Sequence, residues 1–197
     1  MSKDETTYRT VAFDQSKYLD NKRNPLSAGG ACHLFALHWC QEMINDKSLG
    51  AQDRMANMGR FSGAVKVQYG AFSRRWEQEG SAVSDEGIAK QIGLKISKLT
   101  YPNTLAEVAE AIKGEHRVGF VHSFWFKKDK KDNGAHSIGL YRSGATFGGH
   151  IYVFDPNYGE YKMSKSQLQR WYDEVLAPLY KPFGTIASTR LSSAVQS

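Results

Sequence analysis

Two runs of alternating character, residues 135–142 (AHSIGLYR) and 150–155 (HIYVFD), stand either side of a loop, 143–149, that holds Gly144, Gly148 and Gly149. Period-two alternation over β-branched and aromatic residues predicts strands, and the glycine-bearing connection predicts an antiparallel hairpin. Centred on its loop, that hairpin sets Arg142 opposite Gly149 and His136 opposite Asp155. Directly opposed residues share a face, with Cβ atoms about 4.5–5.5 Å apart. The face would carry Ile138, Leu140, Ile151 and Val153 and would end in a His–Asp pair. A carboxylate beside an imidazole fixes its tautomer and stabilises the imidazolium. A slip of one residue would move Asp155 to the other face. The competing reading is a surface histidine next to a strand-ending Asp-Pro turn.

Upstream, Ser27-Ala-Gly-Gly-Ala-Cys32 leads into HLFALHWCQEMINDK. The pattern from residue 32 to about 47 is helical and apolar on most sides, which predicts a buried helix. Cys32 falls in its first turn, after two glycines. Free N–H groups and the helix dipole favour negative charge there, and small residues ahead of it let another backbone approach. Cys40, two turns further in, reads as an inert core thiol.

The remaining pattern gives short helices over 51–60 and 65–76, a helix from Ser84 stopped by Gly93, and a strand over 94–101. A Thr104/Glu107 capping box opens a helix ending before Gly114. A strand over 117–126 follows, then strands to residue 163. A Ser164/Gln167 capping box opens a helix running up to Pro178, and a last strand covers 184–191 with a fraying tail. Helices first, then a mainly antiparallel sheet, means α+β. Residues 1–24 read as a polar arm and 25–192 as one catalytic domain.

Composition narrows the function classes. The chain has 197 residues, 41% hydrophobic and 12% aromatic, enough for one globular core. Two cysteines give neither a disulfide framework nor a four-ligand zinc set, and suit a reducing site of synthesis. His33, His38, His116, His122 and His150 show no ligand spacing, so neither metal nor cofactor is expected. No apolar run approaches a membrane span, and MSKDETTYRT lacks the apolar core of a secretory signal, so a soluble protein is expected. The net charge of +6 would suit nucleic acid, an anionic surface or an acidic partner. The densest basic run, Lys127, Lys128, Lys130 and Lys131, precedes Asn133-Gly134, a hairpin-turn signal. It reads as a solvated turn, and no nucleic-acid signature surrounds it.

Cys32, His136 and Asp155 form a nucleophile, a general base and an orienter of that base, in that chain order. The Cys32 backbone N–H with one upstream donor, Asn24 or Ser27, would form an oxyanion hole. Gly30-Ala-Cys32 heading an apolar helix, Ala135-His136-Ser-Ile-Gly-Leu and Phe154-Asp155-Pro-Asn-Tyr-Gly-Glu-Tyr together resemble the YopT/AvrPphB type of papain-like cysteine protease. The resemblance covers about residues 27–163. It implies a papain-like fold, a Cys-His-Asp triad at Cys32, His136 and Asp155, and a bacterial effector or toxin exported by specialised secretion. A host protein substrate is implied, with a secretion chaperone or an immunity protein as a further partner. Where papain has a glutamine six residues before its cysteine, this chain has Leu26. Glutamine deamidation, cell-wall amide hydrolysis of the NlpC type, and a binding module with a degenerate triad are the other readings.

Overall fold

The computed structural model describes residues 7–19, 31–46, 48–79, 81–144 and 149–197. The described elements are β1 (Arg9–Ala12), α1 (Ala31–Asn45), α2 (Ala51–Glu79), α3 (Ser81–Gln91), β2 (Leu94–Thr100), α4 (Leu105–Gly114), β3 (Gly119–Lys128), β4 (Lys131–Arg142), β5 (His150–Asp155), β6 (Gly159–Ser164) and β7 (Thr185–Gln196). Between β6 and β7 runs α5, made of Leu168–Trp171, a π-helical segment Tyr172–Leu176, and Ala177–Tyr180. The strands form one antiparallel sheet in the order β1-β6-β5-β4-β3-β7-β2.

Alternation along β3, β4 and β5 divides the core in two. Phe120, Phe124, Ile138, Leu140, Ile151 and Val153 pack with α4 and α5 on one face. Val121, Tyr141 and Phe154 pack with α1 and the first half of α2 on the other. The chain is thus α+β, with helices on both faces of the sheet. The long apolar α1 is buried along most of its length, as its composition requires.

Two glycines set how closely α1 lies on the sheet. A Cβ on Gly139 would stand 2.8 Å from the Trp39 ring and 3.2 Å from the Ala36 carbonyl. A Cβ on Gly119 would stand 2.8 Å from the Cys40 Cβ. A buried ion pair fixes the same layer. Arg54, at the start of α2, donates from Nε to Glu160 Oε2 (2.8 Å) and from Nη2 to Oε1 (2.5 Å), and Trp39 Nε1 donates to Oε2 (2.9 Å). Glu160 is fully buried, so these donors offset a desolvation cost of several kcal/mol.

Several expectations change. Gly139 pairs with Phe154 and Arg142 with Ile151, so the hairpin register lies two residues from the loop-centred one. The loop closes one pair later, where Ser143 N donates to the His150 carbonyl at 3.0 Å. An even shift preserves the face, so His136 and Asp155 remain on one side but lie diagonally. The β3–β4 turn is Asp129-Lys130, both at positive φ, and not Asn133-Gly134. Gly134, also at positive φ, instead sits in β4 near the point where its pairing with β3 shifts. Residues 51–79 form one helix rather than two, because a helix-interior glycine costs only about 1 kcal/mol and does not by itself end a helix. Within the arm expected over 1–24, Arg9–Ala12 pair with β6, and Tyr8, Phe13 and Leu19 are buried. Residues beyond 191, expected to fray, continue β7 and pair with β2.

Gly139→Ala should destabilise the fold by about 1–3 kcal/mol through overpacking against Trp39. That outweighs the fraction of a kcal/mol gained by stiffening the unfolded chain. At roughly 2–4 °C per kcal/mol for a chain of this size, calorimetry should show a clear fall in Tm.

Candidate active site

Cys32 is the second residue of α1. It is 3% exposed. Its neighbour His33 is buried with Nδ1 3.3 Å from Ser137 Oγ and 3.4 Å from Ser123 Oγ, and those hydroxyls are 2.8 Å apart. This polar cluster fastens the first turn of α1 to β3 and β4. Cys32 is close enough to the His136 side chain to be among the groups that raise the imidazole pKa.

His136 stands on β4 opposite Phe124 and donates from Nε2 to Asp155 Oδ1 at 3.0 Å. Asp155 ends β5 and is fully buried. Besides His136 it accepts from the Asn157 backbone N–H at Oδ1 (2.9 Å) and from the Tyr180 hydroxyl, 2.8 Å from Oδ2 and 3.0 Å from Oδ1. Asn157 Nδ2 donates to the Tyr180 oxygen (3.1 Å), and Gln15 Nε2 donates to Asn157 Oδ1 (2.7 Å). The Tyr180 ring also stacks on the imidazole, with centroids 4.8 Å apart, while Phe124 meets it edge-on.

Burial alone would pull the His136 pKa down. The charge and hydrogen bond of Asp155, joined by Cys32, outweigh it and raise the value to about 10. His122, buried on the neighbouring strand, goes the other way, to about 3, through desolvation and the nearby His136 charge. Its Nδ1 lies 3.1 Å from the Tyr172 hydroxyl, which makes it a core residue. Burial pushes the Cys40 thiol up to about 12, and its S–H faces the Phe120 carbonyl. His38 is also buried, with Nε2 3.0 Å from Gln68 Oε1 and its ring stacked on Phe61.

The structure therefore brings His136 and Asp155 together, and Cys32 is among the groups that act on the His136 ring. The suggested oxyanion donors Asn24 and Ser27 lie outside the described residues. Among the described residues, no group of His, Cys, Asp or Glu could hold a metal ion, and no helix is long and apolar enough to cross a membrane. Sequence reading missed Tyr180, Asn157 and Gln15. The only local signal was Asp-Pro-Asn, a turn in which an Asp side chain accepts from the backbone two residues on.

The raised pKa favours the charged form of His136 in the folded state. Its stabilising contribution is complete below the unfolded value of about 6.5. It is lost as pH rises through about 10. Titration of the His136 ring by NMR should show imidazolium persisting well above neutrality. In Asp155→Asn, burial is left to dominate and the ring should titrate below the ordinary histidine range.

A family profile described as Yersinia/Haemophilus virulence surface antigen, Peptidase_C58, matches residues 67–185. That span includes His136, Asp155 and Tyr180, and Cys32 lies upstream of it. Among solved structures, the Pseudomonas avirulence protein AvrPphB aligns with a TM-score of 0.70 over 96% of this chain and 98% of its own, at 15% identity. A likeness at that identity carries the fold alone. No curated protein gives a significant match. With well over half of its residues inside the profile, the chain belongs to the Peptidase_C58 family, the papain-like cysteine proteases of YopT/AvrPphB type.

Proposed function

We propose that Cys32 is the nucleophile, His136 the general base and then general acid, and Asp155 the group that orients and charges the imidazole. The observation that carries this is a buried imidazole–carboxylate pair, its carboxylate filled by three hydrogen-bonded partners, with the Cys32 thiol close enough to raise the imidazole further. In this reading the proton shared by the pair already rests on His136, and the Cys32 thiolate attacks the carbonyl of a substrate amide. A tetrahedral oxyanion forms and collapses as His136 returns the proton to the leaving amine. Water, deprotonated by His136, then hydrolyses the acyl-enzyme. The backbone N–H of Cys32 is one oxyanion donor.

Tyr180 acts through Asp155. Its hydroxyl spans both carboxylate oxygens and its ring covers the imidazole, so it holds the pair in one orientation. The family's description as a virulence antigen supports export into a target cell, where the substrate is a protein. A secretion chaperone or an immunity protein would accompany that route.

Iodoacetamide should label Cys32 much faster than Cys40 near neutral pH, and Cys32→Ala should abolish substrate turnover. Mass spectrometry of a treated target-cell lysate should show broken chains. A gain of about one dalton without cleavage would mean glutamine deamidation through the same acyl-enzyme. Equal, slow labelling of both thiols would favour a binding module.

Tyr180→Phe removes a hydrogen bond to a charged group, which is worth about 1.5–3 kcal/mol. It should lower kcat by roughly tenfold to a hundredfold. The alkaline limb of the pH profile should also shift, which a purely structural role would leave in place.

A further inference from the structure

The lysine run between β3 and β4 is not an isolated solvated turn. Asp129 and Lys130 have φ of 52° and 67°, the geometry of a tight I′ hairpin turn. Lys127, Lys128 and Lys130 are exposed on it. The turn Lys181–Phe183, between α5 and β7, lies directly against this tip. A Cβ on Gly184 would stand 2.5 Å from the Lys127 carbonyl, to which Thr185 Oγ1 donates at 3.2 Å. The contact brings exposed Lys181 and Phe183, itself 48% exposed, to the same surface.

Phe183 joins this surface to the site. Its ring centroid is 5.8 Å from Phe126 and 6.1 Å from Tyr180, and Tyr180 stacks on His136. Aromatic contact therefore runs unbroken from the imidazole to an exposed ring in a turn that carries Lys181 and abuts the lysine-bearing tip. Among the described side chains of the tip and of the 181–183 turn, Asp129 is the only carboxylate.

We propose that this surface is a recognition exosite for an acidic, aromatic-bearing segment of the protein substrate; the inference rests on the hydrolase reading above. Phe183 supplies a partly desolvated anchor and the lysines supply charge complementarity. A short tip, closed by a two-residue turn, limits the ordering cost of binding. At about 3.3 Å per extended residue, the segment would lie roughly three to five residues from the scissile amide. Single exposed ion pairs contribute little, so the effect is collective and sensitive to salt.

The test uses full-length Cys32→Ala protein and three fluorescent peptides that alternate Phe with Glu, Ser or Lys. The Glu peptide should bind about tenfold tighter than the Ser peptide, and the Lys peptide weakest. Binding should weaken with salt. Lys128→Glu, Lys130→Glu and Lys181→Glu combined should reverse the preference, and Phe183→Ala should weaken all three peptides. In an otherwise wild-type background, unchanged iodoacetamide labelling of Cys32 in the charge-reversed protein shows that the site is intact. Equal binding of the three peptides, or no response to charge reversal, overturns the inference. So does a preference for phosphatidylserine vesicles over the Glu peptide, which would make the patch a membrane surface. Cleavage without charge preference sinks the exosite alone, whereas charge preference without cleavage sinks the hydrolase reading alone.

Discussion

A buried carboxylate dictates the local architecture. Asp155 is fully enclosed, and an enclosed charge is tolerated only when its oxygens are filled by donors. Three elements meet to supply them, and a fourth braces one of the three. The turn after β5 presents the Asn157 N–H, β4 presents His136, α5 ends on Tyr180, and Gln15 braces Asn157 from the N-terminal segment. The π-helical turn at Tyr172–Leu176 fits this need. It precedes Pro178, which cannot donate to an ordinary α-helical ladder, and the helix still reaches Tyr180.

A second enclosed carboxylate, Glu160, does the corresponding work for the helical layer. Arg54 and Trp39 both donate to it, which ties α1 and α2 to β6. With Gly119 and Gly139 admitting α1 close to the sheet, the helix has little freedom to slide. Cys32, the second residue of that helix, is thereby fixed relative to the sheet that carries His136. The geometry of the thiol thus depends on packing two and more turns away from it.

Alternation and turn chemistry made much of this legible in advance. Residues 150–155 read as a strand and form one, and the Thr104 cap accepts from Glu107 N as its motif requires. The face shared by Ile138, Leu140, Ile151 and Val153 was also readable, because a two-residue register shift leaves faces unchanged. The register itself was not, since one further closing pair at Ser143 and His150 is invisible in a glycine-rich loop. The turn at Asp129-Lys130 lost to the stronger-looking Asn133-Gly134, whose glycine serves instead within β4. The N-terminal strand was hidden because an edge strand of four residues carries too little alternation to register.

The sequence by itself determined the residue types at the site, their order, the buried nature of the helix that carries Cys32, and the common face of His136 and Asp155. These follow from periodicity, which is local. Tertiary structure alone decided that Tyr180 closes over the pair, that Asn157 and Gln15 brace it, and that the lysine tip abuts Phe183. Those contacts join segments far apart in the chain, and no periodic pattern encodes which distant donor will satisfy a buried charge.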